Sequence, residues 1–577
     1  MTTNLPAFLP NSLIVKPKET ASPSELAALK AAMGVTQVTT ASQSGIQIWK
    51  TSSGNVEQLL SNNINNPALE YMELDYKITL PNVQTTSPTQ QNLATTTSQT
   101  TPPNDPDFPK LWGLNNTGQT GGKPDADIDF PEALALVTGT QKKAVGVIDS
   151  GIDYTHPDLA ANMWKNPKEI VGINGKDDDD NGYIDDIYGW DFANNDNDPM
   201  DDNEHGTHVA GTVGAVGNNN LGVIGVAPNN VSLVALKFLD ASGSGATSNA
   251  ILALDYATAN DILITNNSWG GLLPIPSKAL KAAITAFEEK GGLFVAAAGN
   301  SSLNTDLVAA YPASYPHDSI ISVAATDHKD LLAYYSNYGK HTVDIAAPGS
   351  EIYSTLPGGN YGYLSGTSMA SPHVAGAVAL VWSQNPDLTA PQVKQKVMGS
   401  TEPYFNPLGV FSKAGRLNLF KALGGSTSNN NSNLGPIPLR IASTLSPAGA
   451  GNLTQTANAG AAEDILTGGP AADTLMLPFA ESSVSAMDPV TYFGSETIDF
   501  LTEGGAMMNV PTLFSPAVNS AAPTLEKDVM PFTQAKGALA GNEALGIKSH
   551  PLAVAKTSPL TDSYLVGIYD ATTQLGF

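Results

Sequence analysis

Five short apolar runs, Ala144 to Ile148, Ser232 to Phe238, Ile262 to Thr265, Leu293 to Ala298 and Ile320 to Ala325, alternate with helical stretches such as Thr247 to Ala259 and Ser277 to Lys290. A strand that is apolar on both faces has to be covered on both. A helix between two such strands carries the chain back across the sheet, so the strands run parallel. This pattern restricts the chain to the α/β class, with a mostly parallel sheet flanked by helices in three layers. Ligands of such sheets bind at the carboxyl ends of the strands. Asp149 closes the run Val145-Gly-Val-Ile-Asp149, and Asn300 follows Phe294-Val-Ala-Ala-Ala-Gly299, so both stand at such an end.

The stretch Gly366-Thr-Ser368-Met-Ala-Ser-Pro-His373 reads as a hydroxyl at the mouth of a helix. Small residues allow a sharp turn at Ser368, and the apolar residues from His373 to Val381 continue as a buried helix. A helix N-terminus supplies free N–H groups and a partial positive charge, which favour a developing oxyanion. Serine alone is a poor nucleophile and needs a base and an orienting acid. Glu204-His205-Gly-Thr-His208-Val-Ala-Gly211 reads as a turn into a small-residue helix carrying His205, and Asp149 supplies the carboxylate. Asp149, His205, Ser368 is one of three known chain orders for this triad. A zinc site from Glu204, His205 and His208 lacks the H-E-x-x-H spacing and leaves Ser368 unexplained.

With Val147-Ile-Asp-Ser-Gly-Ile-Asp153, His205-Gly-Thr-His-Val-Ala-Gly-Thr212 and the segment Gly366 to Gly376, the chain resembles the subtilisin-like serine protease (subtilase) family. Three motifs in the right order make that resemblance specific. It implies that Asn300 and the Ser368 N–H bind the oxyanion. It also implies that Gly243, Ser244, Gly245 and Ser268, Trp269, Gly270 pair with an extended protein or peptide substrate, and that Ala297, Ala298 and Gly299 line the pocket before the cleaved bond. Pairing of that kind reads backbone, so broad specificity is expected, with room for a large apolar side chain. The family more often carries leucine where Trp269 stands.

Residues 1–80 alternate as strand, helix, strand, strand, helix, strand. Ser22-Pro-Ser-Glu25 supplies a capping box with proline at the first helical position. By the resemblance this small ferredoxin-like α+β unit is the propeptide, an intramolecular inhibitor and folding assistant; the alternative is an unrelated N-terminal domain. Residues 81–105, rich in Thr, Gln, Pro and Ser, read as a linker carrying the maturation cleavage. The catalytic domain is expected over 106–424, a second linker over 425–445, and a β-rich C-terminal domain over 446–577.

Between Asp149 and His205 lies the most acidic run, Asp177-Asp-Asp-Asp-Asn181-Gly-Tyr183-Ile-Asp185. Oxygen ligands at alternate positions followed by glycine open an EF-hand-like loop. Asp177, Asp179, Asn181, Asp185 and the Tyr183 carbonyl are therefore candidates for one hard cation. The twelfth-position glutamate is missing, since Tyr188 stands there. The alternative is a solvated acidic loop. By resemblance alone, Asp158 and Asn219 belong to a second calcium loop. Calcium is expected to be structural.

The whole chain has 28 basic and 54 acidic residues, a net charge of −26 that argues against nucleic acid, and no cysteine, which removes disulfides and thiol chemistry. No apolar run reaches the ~18 residues of a membrane span. Met1-Thr-Thr-Asn-Leu-Pro has neither a basic nor an apolar signal region. Ala459-Gly-Ala-Ala-Glu-Asp464 and Gly468-Gly-Pro-Ala-Ala-Asp473 align at a period of nine and resemble worn G-G-x-G-x-D calcium repeats, as in tails that accompany signal-peptide-independent export. The expectation is a secreted, extracellular or surface zymogen. The competing readings are a calcium-dependent binding protein that retains a protease domain, a peptide ligase using the same acyl-enzyme, and a cytoplasmic protease with an accessory tail.

Overall fold

The computed structural model describes residues 7–80, 102–139, 141–272, 276–404 and 411–425, and the backbone of eight strands between 454 and 568. The 81–101 segment, residues 426–453, and the glycines and aspartates of both nine-residue repeats lie outside the described residues. The chain divides into two units, 1–430 and 431–577.

In the first unit the N-terminal region is β1 (Phe8–Pro17), α1 (Pro23–Ala32), β2 (Val35–Ala41), β3 (Ile46–Thr51), α2 (Val56–Asn63) and β4 (Leu69–Thr79). Ser22 caps α1 through the capping box with Glu25. Leu13, Val15, Leu29, Met33, Trp49, Val56 and Met72 form the small core between this sheet and its helices.

The rest of the unit comprises α3 (Phe130–Leu134), β5 (Lys143–Asp149), β6 (Gly189–Asp191), α4 (His205–Gly214), β7 (Val231–Lys237), β8 (Ser244–Ala246), α5 (Thr247–Ala259), β9 (Ile264–Asn267), α6 (Lys278–Glu289), β10 (Leu293–Ala297), β11 (Ile320–Thr326), β12 (Ile345–Pro348), β13 (Ile352–Leu356), β14 (Asn360–Leu364), α7 (Thr367–Gln384), α8 (Ala390–Met398) and α9 (Leu419–Ala422). Its main sheet is seven-stranded and parallel, in the order β12-β11-β10-β9-β5-β7-β6. Strand residues divide between the two faces as the pleat requires. Val145 and Val147 of β5 and Val295 of β10 join α4 and α7 in one core. Ile148, Phe294 and Ala296 join α5 and α6 in the other. The sheet order reverses between β5 and β9, which opens the crevice where such sheets bind ligands.

The segment Gly243–Gly245, expected to pair with an extended substrate, here pairs with the end of the N-terminal region. β8 leaves the main sheet and extends the N-terminal one, whose order is β2-β3-β1-β4-β8. Lys77, Ile78 and Thr79 pair antiparallel with Ala246, Gly245 and Ser244, and Leu80 N donates to Gly243 O at 2.8 Å.

In the second unit, β15 (Thr454–Thr456), β16 (Leu466–Thr467), β17 (Thr474–Pro478), β18 (Val490–Phe493) and β19 (Thr497–Leu501) alternate between two sheets, β15, β17 and β19 parallel in one and β16 and β18 parallel in the other. β20 (Met507–Asn509) closes the first sheet antiparallel to β19, and in the second β22 (Ser563–Ile568) lies antiparallel between β18 and the edge strand β21 (Leu552–Lys556).

Candidate active site

The two ends of the Asp–His pair come from different elements. Asp149 is the last residue of β5, and His205 the first of α4. His205 Nδ1 donates to Asp149 Oδ1 at 2.8 Å, and the same oxygen accepts Ser150 N at 2.7 Å. All three predicted triad residues are buried. Burial alone would lower the imidazole's pKa, but the Asp149 carboxylate outweighs it and raises His205 above the ordinary value of 6.5. His205 Nε2 is buried without a partner among the described residues. The preceding residue, Glu204, sits at φ 105°, a strained conformation for a side chain with a Cβ.

Ser368 lies in the first turn of α7, which packs on α4. Pro372, four residues on, has no N–H, so the Ser368 carbonyl loses its helical donor. Ser268 Oγ replaces it at 2.8 Å, while Ser368 Oγ donates to Ser268 O at 3.1 Å. The loop after β9 is thereby tied to the Ser368 turn in both directions. Asn266, the neighbour on β9, steadies the arrangement: its Nδ2 donates to Ser268 Oγ at 2.9 Å and its Oδ1 accepts Ser371 Oγ at 2.8 Å.

Asn300 arrives from the end of β10. Its Oδ1 accepts Thr367 N at 2.9 Å and Thr367 Oγ1 at 2.7 Å, which fixes the orientation of the amide. Its Nδ2 then faces the Gly366–Ser368 turn: a Cβ placed on Gly366 would lie 3.0 Å from that nitrogen and 3.7 Å from Ser368 Cβ. Asp149, Ser268, Asn300 and Ser368 thus share the carboxyl edge of the sheet.

His208 and His373 are structural. His208 Nε2 donates to Ile352 O and Gly362 O, at 2.9 and 3.2 Å, and burial pushes its pKa down to about 3. His373 Nδ1 donates to Met369 O at 2.8 Å, and burial lowers it to about 4. Both are neutral at physiological pH.

The predicted cleft walls are a mixed set. Gly243, Ser244 and Gly245 carry the paired edge of β8. Trp269 is turned inward, with its ring against Phe238 and Phe294 at 5.0 and 6.3 Å. What it leaves for a ligand is main chain. Gly271, next to Gly270, exchanges two backbone bonds with Tyr311, each 2.9 Å. Ala297 and Ala298 are buried, and Gly299, at φ 105°, is held by Thr367 Oγ1 at 3.0 Å.

A model of the subtilase family matches residues 140–432, which takes in every one of these elements. The chain belongs to the subtilase family. A model of the fervidolysin N-terminal prodomain matches residues 2–75. This subtilase is 34% identical over 420 residues to a thermophilic serine proteinase of Bacillus sp. (strain AK1), covering 72% of this chain and 88% of that relative. It is 37% identical over 296 residues to thermitase of Thermoactinomyces vulgaris, 51% of this chain and 93% of thermitase. It is 42% identical over 267 residues to subtilisin-like protease 1 of Plasmodium falciparum (isolate 3D7), of which it covers only 38%. This is therefore a subtilisin-like serine protease with an N-terminal prodomain.

The prodomain of this subtilase is held to the protease by carboxylates at backbone N–H groups. Asp255 on α5 accepts Ser42 N, Gln43 N and Ser44 N at 2.7, 2.8 and 3.2 Å. Prodomain Asp75 caps α5 through Ser248 N at 3.0 Å, and Glu73 caps α6 through Lys278 N at 2.9 Å. Each places negative charge where a helix or turn presents unsatisfied donors.

In the acidic loop, Asp177 and Asp179 come together with Glu169, one ligand oxygen from each lying within 4.8 Å of the others. Glu169 lies eight positions outside the acidic run, and no sequence signal had drawn it in. These carboxylates and the other predicted side-chain ligands all accept N–H groups of the loop: Asp177 Oδ2 takes Gly182 N at 2.7 Å and Glu169 Oε1 takes Asp178 N at 2.8 Å. Asn181 Oδ1 accepts Tyr183 N at 2.7 Å, and Asp185 Oδ2 accepts Gly175 N at 2.7 Å. The Tyr183 ring packs edge-on against Trp190 and Tyr256, both at 5.0 Å, and pins the loop to the core. At the second predicted loop, Asp158 meets Asn219 at 2.6 Å, but through the amide nitrogen; its other oxygen accepts Val223 N and Tyr361 OH. The two predicted residues of that loop are therefore neighbours.

Among the described residues no helix is long and apolar enough to cross a membrane.

Proposed function

We propose that this subtilase is a zymogen whose mature form is an endopeptidase working through an acyl-enzyme. The Ser368 Oγ–carbonyl carbon bond forms as His205 Nε2 takes the hydroxyl proton, with Asp149 holding the imidazole in the required tautomer. Asn300 Nδ2 and the Ser368 N–H receive the oxyanion. His205 then protonates the leaving amine as the C–N bond breaks, and water repeats the sequence to release the acid. The observation that carries this reading is the 2.8 Å Asp149–His205 bond, whose far nitrogen is buried and unclaimed among the described residues. Ser368 Oγ has to exchange Ser268 O for that nitrogen, a bond that in this class commonly tightens only when substrate is seated.

The prodomain supplies a picture of substrate. Its last strand adds to the β8 edge by main-chain pairing, so an extended peptide read through backbone would follow it. Small residues at 297–299 favour a large apolar side chain before the cleaved bond. The test is to incubate the purified full chain with calcium and sequence the new N-terminus. A new terminus within 81–105 is expected from the parent and none from Ser368→Ala; equal conversion of both would overturn the reading.

His205 has to be neutral to accept a proton. Because its pKa is raised, the protonated form persists to higher pH than in a free imidazole. Activity is therefore expected to fall as pH drops through a midpoint above 6.5, and Asp149→Asn is expected to move that midpoint down. A pH profile of kcat/KM in the mature enzyme checks this, and a midpoint below 6 would contradict it.

Glu169, Asp177 and Asp179 offer an all-oxygen, acidic donor set, which fits a hard cation such as calcium. These residues would hold it, and its role would be to neutralise their repulsion and secure the loop against autolysis. Chelation is expected to shorten the half-life at elevated temperature about tenfold through loss of that binding energy, with initial kcat unchanged. Glu169→Gln should blunt the chelator's effect. An unchanged half-life under chelation would exclude the role.

The acidic, cysteine-free composition and the tail's strands, whose parallel pairs alternate between two mixed sheets, fit an exported or surface protein with a repeat-like C-terminal unit.

A further inference from the structure

We propose that Asp201 is a positioning residue for the triad: one buried carboxylate that sets the distance between the segment carrying Asp149 and the segment carrying His205. The proposal rests on the triad reading above. Asp201 is 5% exposed and accepts five hydrogen bonds. Oδ1 takes Ser150 Oγ at 2.9 Å, Asn203 N at 2.9 Å and Glu204 N at 3.1 Å. Oδ2 takes Thr207 N at 2.9 Å and Thr207 Oγ1 at 2.6 Å. Ser150 follows Asp149 directly, while Glu204 and Thr207 bracket His205. A single group therefore grips both halves of the Asp–His pair without touching either side chain.

The surrounding backbone leaves no slack for another arrangement. Gly206 N donates to Ser150 Oγ at 2.9 Å, which closes a ring from Asp201 through Ser150 into α4. A Cβ on Gly206 would stand 2.1 Å from Gly151 O, and one on Gly151 2.9 Å from Asp201 N, so the two segments meet at backbone contact. Glu204 keeps its strained φ of 105° while its N–H is held by Asp201. The other side of Ser150 is fixed as well. The buried Lys237 Nζ donates to Ser150 O at 2.8 Å and to Leu239 O at 3.0 Å, and pairs with Asp202 Oδ1 at 2.6 Å. Consecutive aspartates thus anchor Ser150 from its hydroxyl and, through Lys237, from its carbonyl. Against the lowering effect of burial, the Asp201 charge joins Asp149 in raising the pKa of His205.

Asp201→Asn keeps the size but removes the charge and turns an NH2 group toward Thr207 N. Misplacing a reacting group by about 1 Å can cost on the order of 10²-fold. In matured enzyme, kcat is expected to fall about 10- to 100-fold with KM within about twofold. The acid limb of kcat/KM should shift to lower pH, which a merely structural role would not produce. Ser150→Ala, which cuts one arm and leaves the charge, should lower kcat less and leave the limb in place. The double variant should be no worse than Asp201→Asn, because both act through one clamp. Unchanged kcat, an unmoved limb in Asp201→Asn, or additive losses would overturn the proposal. If Asp201→Asn does not fold, Ser150→Ala alone decides, since a loss confined to KM contradicts positioning. His205→Ala separates the two levels: residual activity near the parent's would sink the triad reading itself, whereas failure of the Asp201 predictions beside an inert His205→Ala sinks only the clamp.

Discussion

Ser368→Ala is expected to lower kcat by about 10⁶-fold and to leave the full chain uncleaved, because it removes the hydroxyl that would attack. His205→Ala should cost about as much, and the double variant scarcely more, since each change disables the same unit. The expectation follows from how the pair is held. Asp149 Oδ1 is committed to His205 Nδ1 and Ser150 N, which leaves the imidazole a single exchangeable nitrogen. Single-turnover hydrolysis of a peptide with a large apolar residue before the cleaved bond measures the loss. Folding of Ser368→Ala should be intact, because Ser268 Oγ still satisfies the residue 368 carbonyl. A variant that retains more than about 1% of the parent rate would remove Ser368 as the nucleophile. Multiplying effects in the double variant would show that the two residues do not act together.

Much of this architecture could be read from the residues because the chemistry tolerates few alternatives. A strand apolar on both faces needs two helical layers, and the structure divides Val147 and Ile148 of β5 between its two cores accordingly. Other features were hidden because they depend on partners distant in sequence. Glu169 joins Asp177 and Asp179 only through the path of the loop, and nothing in the residues around Glu169 resembles a ligand motif. Asp185, at a ligand-like spacing, also accepts the Gly175 N–H, a pairing that no ligand spacing indicates. Trp269 belongs to a segment expected to pair with substrate, yet its ring packs inward between Phe238 and Phe294. Carboxylate capping across the prodomain joint, as by Asp255 and Glu73, pairs groups about 200 positions apart, 255 with 42–44 and 73 with 278. Periodicity cannot reveal such pairs. Pro372 is the opposite case: its missing N–H requires a substitute donor for Ser368 O, and Ser268 Oγ provides it.

Asn300→Ala is expected to lower kcat about 10²- to 10³-fold with KM nearly unchanged, an effect of roughly 2.7–4 kcal/mol on the transition state alone. A donor acts on rate rather than on binding only if it meets charge that appears during the reaction, and only if no energy is spent turning it into place. The structure meets the second condition: Thr367 N and Oγ1 both hold Asn300 Oδ1, so the amide hydrogens are committed to the Gly366–Ser368 side before substrate arrives. Thr367→Val removes one of those restraints and keeps the other. Its kcat should fall by a smaller factor, about tenfold, as the amide gains freedom to rotate. Asn300→Asp, nearly the same size, should do worse than alanine, because it sets a carboxylate against the developing oxyanion. A loss that appears mainly in KM, or an Asp variant more active than Ala, would mean that Asn300 serves the turn around Thr367 rather than the oxyanion.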